Sequence, residues 1–188
     1  CIKENHYHMT TTTGGAANVL DWLEEWLQTE WPNLKVYLTS VTEQWAVAAI
    51  CGPKSRKLLQ ELCTDIDLSD KAFPFMGYRE GTVAGIKARI FRISFTGELS
   101  FEINVPRSYG LSLWEKLLDI GKKYEICPYG TEAMHVLRAE KGFIIVGQET
   151  DGTVTPVDLG MDWIISKTKP DFIGKRALSR RDIIKADR

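Results

Sequence analysis

Glu102 stands alone among apolar residues. In the run RISFTGELSFEINVP at residues 92–106 it follows a turn at Thr96 and Gly97, on what reads as a strand. Alternation puts Phe101, Ile103 and Val105 on one face and Glu102 with Asn104 on the other. A carboxylate fixed in such a setting needs a partner to offset the water it loses, and the strand holds it rigidly, as a binding site would require. An ordinary salt bridge on a sheet edge is the competing reading. Glu98, in the turn, is expected to face solvent, and residues 92–106 are expected to form a strand, a tight reversal and a second strand.

Other reactive side chains are scattered. Cys1, Cys51, Cys63 and Cys127 make no Cys-x-x-Cys pair, and only three histidines are present, so the clustering of a zinc site is missing. His6 and His8 are expected on one side of a strand as a surface pair. Thiols without a disulfide framework fit a reduced, cytoplasmic protein. The net charge of -1, with acids and bases interspersed, gives no electrostatic case for nucleic acid or an anionic membrane as partner. No apolar run is as long as a membrane helix, and no signal peptide opens the chain. No Gly-x-Gly-x-x-Gly fingerprint occurs, so nothing in this segment predicts binding of NAD or FAD.

The elements that must position Glu102 follow from periodicity. Threonines and aromatics at residues 7–13 predict a strand, and Val19, Leu20, Leu23, Trp26 and Leu27 recur at helical spacing up to Trp31-Pro32. Residues 36–42 and 45–51 read as two strands of a hairpin turning at Glu43 and Gln44. Gly52-Pro53 then opens a helix with Leu58, Leu59 and Leu62 inward. Residues 77–95 predict two strands around Ala84-Gly85, residues 109–123 and 131–141 predict helices, and residues 163–166 predict a short apolar strand. The charged residues 179–188 are expected to mark the end of the domain. Irregular alternation of helices with short antiparallel strands implies an α+β fold, mainly antiparallel sheet covered by helices. All 188 residues are expected to form one region, with a subdivision at 1–72 and 73–188.

Collinear stretches along the whole chain resemble the folate-binding fold of the aminomethyltransferase family, also called the glycine-cleavage T-protein family. They are MTTTTGGAANVLDWLEEWLQTEW at 9–31, VYLTSVTEQWAVAAICGPKSRKLL at 36–59, the Glu102 run, PYGTEAMHVLRAEKGFIIVGQETDGTVTP at 128–156 and DFIGKRAL at 171–178. Within that family the chain is most similar to the branch formed by the carboxy-terminal part of sarcosine oxidase alpha subunits. The resemblance implies that tetrahydrofolate is bound and that Glu102 grips its pterin ring, whose exocyclic amine and neighbouring N–H one carboxylate accepts together.

The same resemblance sets the other expected site residues. Phe95 stands where T-proteins carry a tyrosine, keeping an aromatic face but losing a hydroxyl. Met134 falls where a T-protein arginine is expected, which favours the oxidase branch over glycine cleavage. Arg138 matches the arginine of the Val-Leu-Arg run, with ligand contact and an ion pair to the sheet as equal readings. Phe143 would wall the cavity or pack in the core, and stands where a related iron-sulphur maintenance family carries a cysteine, against a thiol-based role. Thr12, among the hydroxyls of residues 10–13, and Met76 with Tyr78 would line the site. The implied reaction is oxidative demethylation of sarcosine, the resulting iminium passing its one-carbon unit to tetrahydrofolate to give methylene-tetrahydrofolate and glycine. FAD, FMN and NAD are implied for the full enzyme, with other subunits and further parts of the same chain as partners. The family's catalytic acid is expected before Cys1, so the chain is expected to be an inactive fragment of a longer one. A stand-alone aminomethyltransferase and a non-catalytic folate-binding module are the alternatives.

Overall fold

The computed structural model describes residues 1–180, so most of the expected charged boundary at 179–188 lies outside the described residues. Two compact units divide the chain, Cys1–Phe143 and Ile144–Arg188.

The first unit is built on strands β1 (Trp45–Cys51), β2 (Tyr78–Val83), β3 (Ile86–Phe91) and β4 (Ser100–Pro106), hydrogen-bonded in the order β1-β4-β3-β2. Every pairing is antiparallel. Helices α1 (Ala16–Thr29), α2 (Ser55–Leu62), α3 (Gly110–Gly121) and α4 (Thr131–Glu140) accompany the sheet, as an α+β fold requires. Phe101, Ile103 and Val105 of β4 are fully buried on one face, in a core with Leu58 and Leu59 of α2 and Leu113 and Leu117 of α3. Each such side chain contributes about 1.5–3 kcal/mol when taken out of water. That burial fixes the register of β4, because a slip of one residue would put Glu102 into the core.

The β2–β3 hairpin turns at Ala84 (φ 51) and Gly85 (φ 81), where expected, with the two positive φ angles that a two-residue reversal needs. The connection from β3 to β4 differs from the tight reversal expected, since residues 92–99 run as an irregular loop. Its anchor is the carbonyl of Leu99, which accepts hydrogen bonds from Gly52 N at 2.8 Å and Ser55 Oγ at 2.9 Å. Arg92 Nη1 adds a hydrogen bond to Ser100 O at 3.2 Å.

Three expected strands are absent from the described residues. Residues 36–42 form no hairpin with β1, which instead pairs along its length with β4, from Trp45 opposite Pro106 to Cys51 opposite Ser100. Thr39, Ser40 and Thr42 offer little apolar surface, whereas β4 presents a continuous buried face, and Tyr37 is left 92% exposed. Residues 7–13 find no strand to pair with and pass into a short 3-10 turn at Thr13–Gly15. In the second unit residues 163–166 fall on and after another such turn, Asp162–Ile164, with Trp163 exposed. That unit also carries α5 (Lys175–Leu178) and a local turn in which Asp151 Oδ1 accepts from Thr153 N at 2.7 Å.

Helix α1 is amphipathic as expected, yet none of its residues is buried. Trp26 stacks on Trp31 at 5.4 Å and meets Trp22 edge-on at 6.3 Å. Among the described residues no helix is long and apolar enough to cross a membrane.

Candidate functional site

The face of the sheet opposite the core carries a transverse row made by the register. Ala49 of β1 lies opposite Glu102 of β4, Glu102 opposite Phe91 of β3, and Phe91 opposite Tyr78 of β2. Side chains paired in this way stand roughly 5 Å apart at Cβ. The Tyr78 and Phe91 rings are 5.0 Å apart, and His8 from the N-terminal segment packs 5.6 Å from Phe91. Glu102 therefore has an aromatic wall on one side and only a methyl group on the other.

Glu102 is partly buried, and loss of water pushes its carboxyl above the usual carboxylate range. Its side chain makes no hydrogen bond or ion pair among the described residues. The edge salt bridge that competed with a ligand role thus has no partner here. A desolvated acceptor without a donor is costly for a fold to keep unless something else binds it.

Beyond Ala49, on the same face of β1, Cys51 donates through Sγ to the hydroxyl of Tyr129 at 3.3 Å. Partial burial, then the contact with Cys51 and the negative charge of Glu102, push the Tyr129 phenol up. Ala49, Cys51 and Tyr129 also line a cavity of about 510 Å³ along the free edge of β1, walled by Leu58, Leu117 and Ile126. Glu102 is not among its lining residues.

The next positions along this face are differently used. Asn104 lies opposite Arg89 and is buried, its Nδ2 without a hydrogen-bond partner. Arg89 stacks 4.5 Å over the Trp45 ring and pairs with Glu80 at 3.2 Å. Burial and the hydrogen bond to Glu80 push the Tyr78 phenol up to about 12. Burial, then the charge of Arg89, holds His8 below its ordinary value.

Of the residues expected in the site, Tyr78 joins Glu102 through the register. Phe95 is half-buried in the loop before β4, and that loop is tied to the end of α4, because Gly97 approaches Lys141 so closely that a Cβ would lie 2.2 Å from Lys141 Cγ. Lys141 Nζ pairs with Glu98 at 3.3 Å, so Glu98 holds α4 instead of merely facing solvent. Met134 and Arg138 are half-buried on α4. Arg138 Nη1 donates to Phe143 O at 3.1 Å and Phe143 N to Arg138 O at 2.9 Å, closing the end of that helix. Phe143 itself is 37% exposed. Met76 is 72% exposed at φ 65, held by its N–H to Arg92 O at 2.8 Å. Thr12 is exposed ahead of the first 3-10 turn and makes no side-chain cap. Neither Met76 nor Thr12 shares a hydrogen bond or ring contact with Glu102 among the described residues.

Sequence reasoning passed over Ala49, Phe91, Cys51 and Tyr129. The first three became visible only through strand pairing, and Tyr129 sits in a Pro-Tyr-Gly stretch that carries no periodicity.

The sarcosine oxidase alpha subunit of Corynebacterium sp. (strain U-96) is 59% identical over all 188 residues, which span 19% of that protein. The aminomethyltransferase of Thermoanaerobacter sp. (strain X514) is 33% identical over 183 residues, 95% of this chain and 47% of the other. The solved heterotetrameric sarcosine oxidase from Corynebacterium sp. U-96, in complex with pyrrole 2-carboxylate, overlays 60% of this chain and 54% of its own at 21% identity and a TM-score of 0.49. The chain thus spans about a fifth of the alpha subunit and just under half of the aminomethyltransferase. The family model described as the GCVT N-terminal domain matches residues 1–169. With nine-tenths of its length inside that match, the chain belongs to the GCVT N-terminal domain family.

Proposed function

We propose that this chain is the folate-binding region of a sarcosine oxidase alpha subunit, in which a one-carbon unit taken from sarcosine is passed to tetrahydrofolate. The observation that carries the reading is Glu102, a desolvated carboxylate without a donor, set between an aromatic row and the small Ala49. Two adjacent N–H groups on a flat heterocycle fit that vacancy, since a carboxylate accepts two parallel hydrogen bonds. The 59% identity to an alpha subunit supports the choice of branch. Met134, where the transferases are expected to carry an arginine, supports it as well.

In this scheme Glu102 orients the ring, Phe91 and Tyr78 give it an apolar flank, and Phe95, Met134, Arg138 and Phe143 border the site from the loop and from α4. Thr12 and Met76 would join them only as outer lining. When bound, tetrahydrofolate supplies the nitrogen that captures the sarcosine-derived iminium, giving methylene-tetrahydrofolate and glycine. The residues of this chain position that nitrogen and keep water from the electrophile. FAD, FMN and NAD would be held elsewhere in the full enzyme, together with the other subunits, and the catalytic acid would come from a part of the polypeptide outside this region. Residues 1–72 and 73–188 would act as successive subdomains.

Calorimetric titration of tetrahydrofolate into the full gene product tests the assignment. Glu102→Gln is expected to weaken binding by about 1.5–3 kcal/mol, the range for a hydrogen bond to a charged group. Unchanged affinity would refute it. The 33% identity to an aminomethyltransferase keeps one rival, a transferase acting without flavin, and absorbance of the purified assembly near 450 nm (roughly where a conjugated flavin absorbs) separates the two.

A further inference from the structure

We propose that Tyr129 is a ligand-binding residue whose phenolic O–H donates to a carbonyl oxygen lying beside the N–H groups held by Glu102, so that the site reads a ligand edge of two donors and one acceptor, as in a 4-oxo-pteridine. The inference rests on the folate reading and specifies which edge of the heterocycle is recognised.

Three observations converge on it. Cys51 is diagonal to Glu102 across the β1–β4 pair, Ala49 lying directly opposite Glu102 and Cys51 two residues further on. Diagonal neighbours in such a pair are about 7–8 Å apart, a span that long side chains bridge. Tyr129 is held at Cys51 by the 3.3 Å hydrogen bond, so its hydroxyl stands against a side chain that shares the Glu102 face of the sheet. The charge of Glu102 reaches the phenol, in agreement with that placement.

The second observation is the direction of the bond. With the Cys51 thiol as donor and the Tyr129 oxygen as acceptor, the phenolic hydrogen remains to be given away. It finds no acceptor among the described residues. Glu102 has acceptors without donors, and Tyr129 beside it has a donor without an acceptor. A planar edge carrying N–H, N–H and C=O satisfies both at once, whereas in the 4-amino edge the carbonyl is gone and the neighbouring ring nitrogen has lost its hydrogen, so the phenolic hydrogen has no acceptor there and Glu102 keeps one donor of two.

The third is the form of the surroundings. Tyr129 belongs to the segment between α3 and α4 and stands at the mouth of the cavity along β1, with Pro128 and Cys127 before it. Tyr129 is 41% exposed, so a ligand reaches it from outside without any rearrangement of the core.

The test uses the full gene product as purified, titrated with tetrahydrofolate and with its 4-amino-4-deoxy counterpart. The unaltered protein is expected to favour the 4-oxo ligand. Tyr129→Phe keeps the ring and removes the hydroxyl. It should weaken tetrahydrofolate roughly 3- to 10-fold, the equivalent of one neutral hydrogen bond, while leaving the 4-amino ligand unchanged, so that discrimination falls by that factor and what remains is due to the N–H missing at Glu102. Glu102→Gln should weaken tetrahydrofolate, which gives the carboxylate two N–H groups. If Tyr129→Phe binds both ligands as the unaltered protein does, or loses both equally, while Glu102→Gln still weakens tetrahydrofolate, the role of Tyr129 is overturned and the folate reading stands. If Glu102→Gln leaves both affinities unchanged, the folate reading falls and this inference with it.

Discussion

A carboxylate that the fold desolvates without supplying a donor is a stability liability, and Glu102 should show it. Burial raises its pKa, so the folded chain binds this proton more tightly than the unfolded chain does. The stability linked to it is therefore complete below the ordinary glutamate pKa of about 4.3 and is lost as pH rises through the raised folded value. Glu102→Gln removes the charge and should stabilise the ligand-free protein at pH 7 by about 0.5–2 kcal/mol, with the gap to the unaltered protein closing towards pH 4. Urea melts at the two pH values check this. A variant that melts earlier than the unaltered protein at pH 7 would mean that the carboxylate has a stabilising partner. The pattern of better stability with poorer ligand binding is the one expected of a binding residue and not of a structural one.

At the scale of elements, what could be read from the chain was whatever had a short period. The alternation of Phe101, Ile103 and Val105 against Glu102 and Asn104 needs only neighbours along one strand, and it matches the burial observed. Helices α2 and α3 were legible in the same way through Leu58, Leu59, Leu113 and Leu117. Strand partners were not legible, because β1 and β4 are separated by α2 and the β2–β3 hairpin, and local pattern gives no sign of which strand will meet which. The hairpin expected of residues 36–51 failed on that account, and Ala49 and Cys51 were missed with it. One local feature remains improvable. Ala84 holds φ 51 in the β2–β3 turn, a left-handed conformation that costs a Cβ-bearing residue roughly 1–2 kcal/mol and that asparagine tolerates better. Ala84→Asn should therefore raise the thermal midpoint by a few degrees, on the order of 0.5 kcal/mol or more, without altering ligand affinity. Differential scanning calorimetry with a parallel titration would register either departure.

Across the first unit, site and core share one strand. Each residue of β4 that faces inward is followed by one that faces the site, so the position of Glu102 is only as firm as the packing of Phe101 and Ile103 behind it. Phe101 touches Phe73 at 5.8 Å and lies under the guanidinium groups of Arg56 and Arg92, both 5.3 Å from its centroid. Phe101→Ala should cost about 3–5 kcal/mol, enough to lower the denaturation midpoint steeply and to abolish the proposed folate binding together with native structure. If binding survived at full affinity, the coupling between the two faces of β4 would be disproved.

Helix α1 has an optical consequence. Trp22 and Trp26 of α1 and Trp31 just beyond its end are half of the six tryptophans, and the Trp26 indole meets both of the others beside a helix that buries none of its residues. Emission excited in any one of them migrates among the three, so the fluorescence of the whole chain is weighted towards a single watery patch. Any molecule that comes to rest against that patch writes its arrival as a blue shift, with no label required.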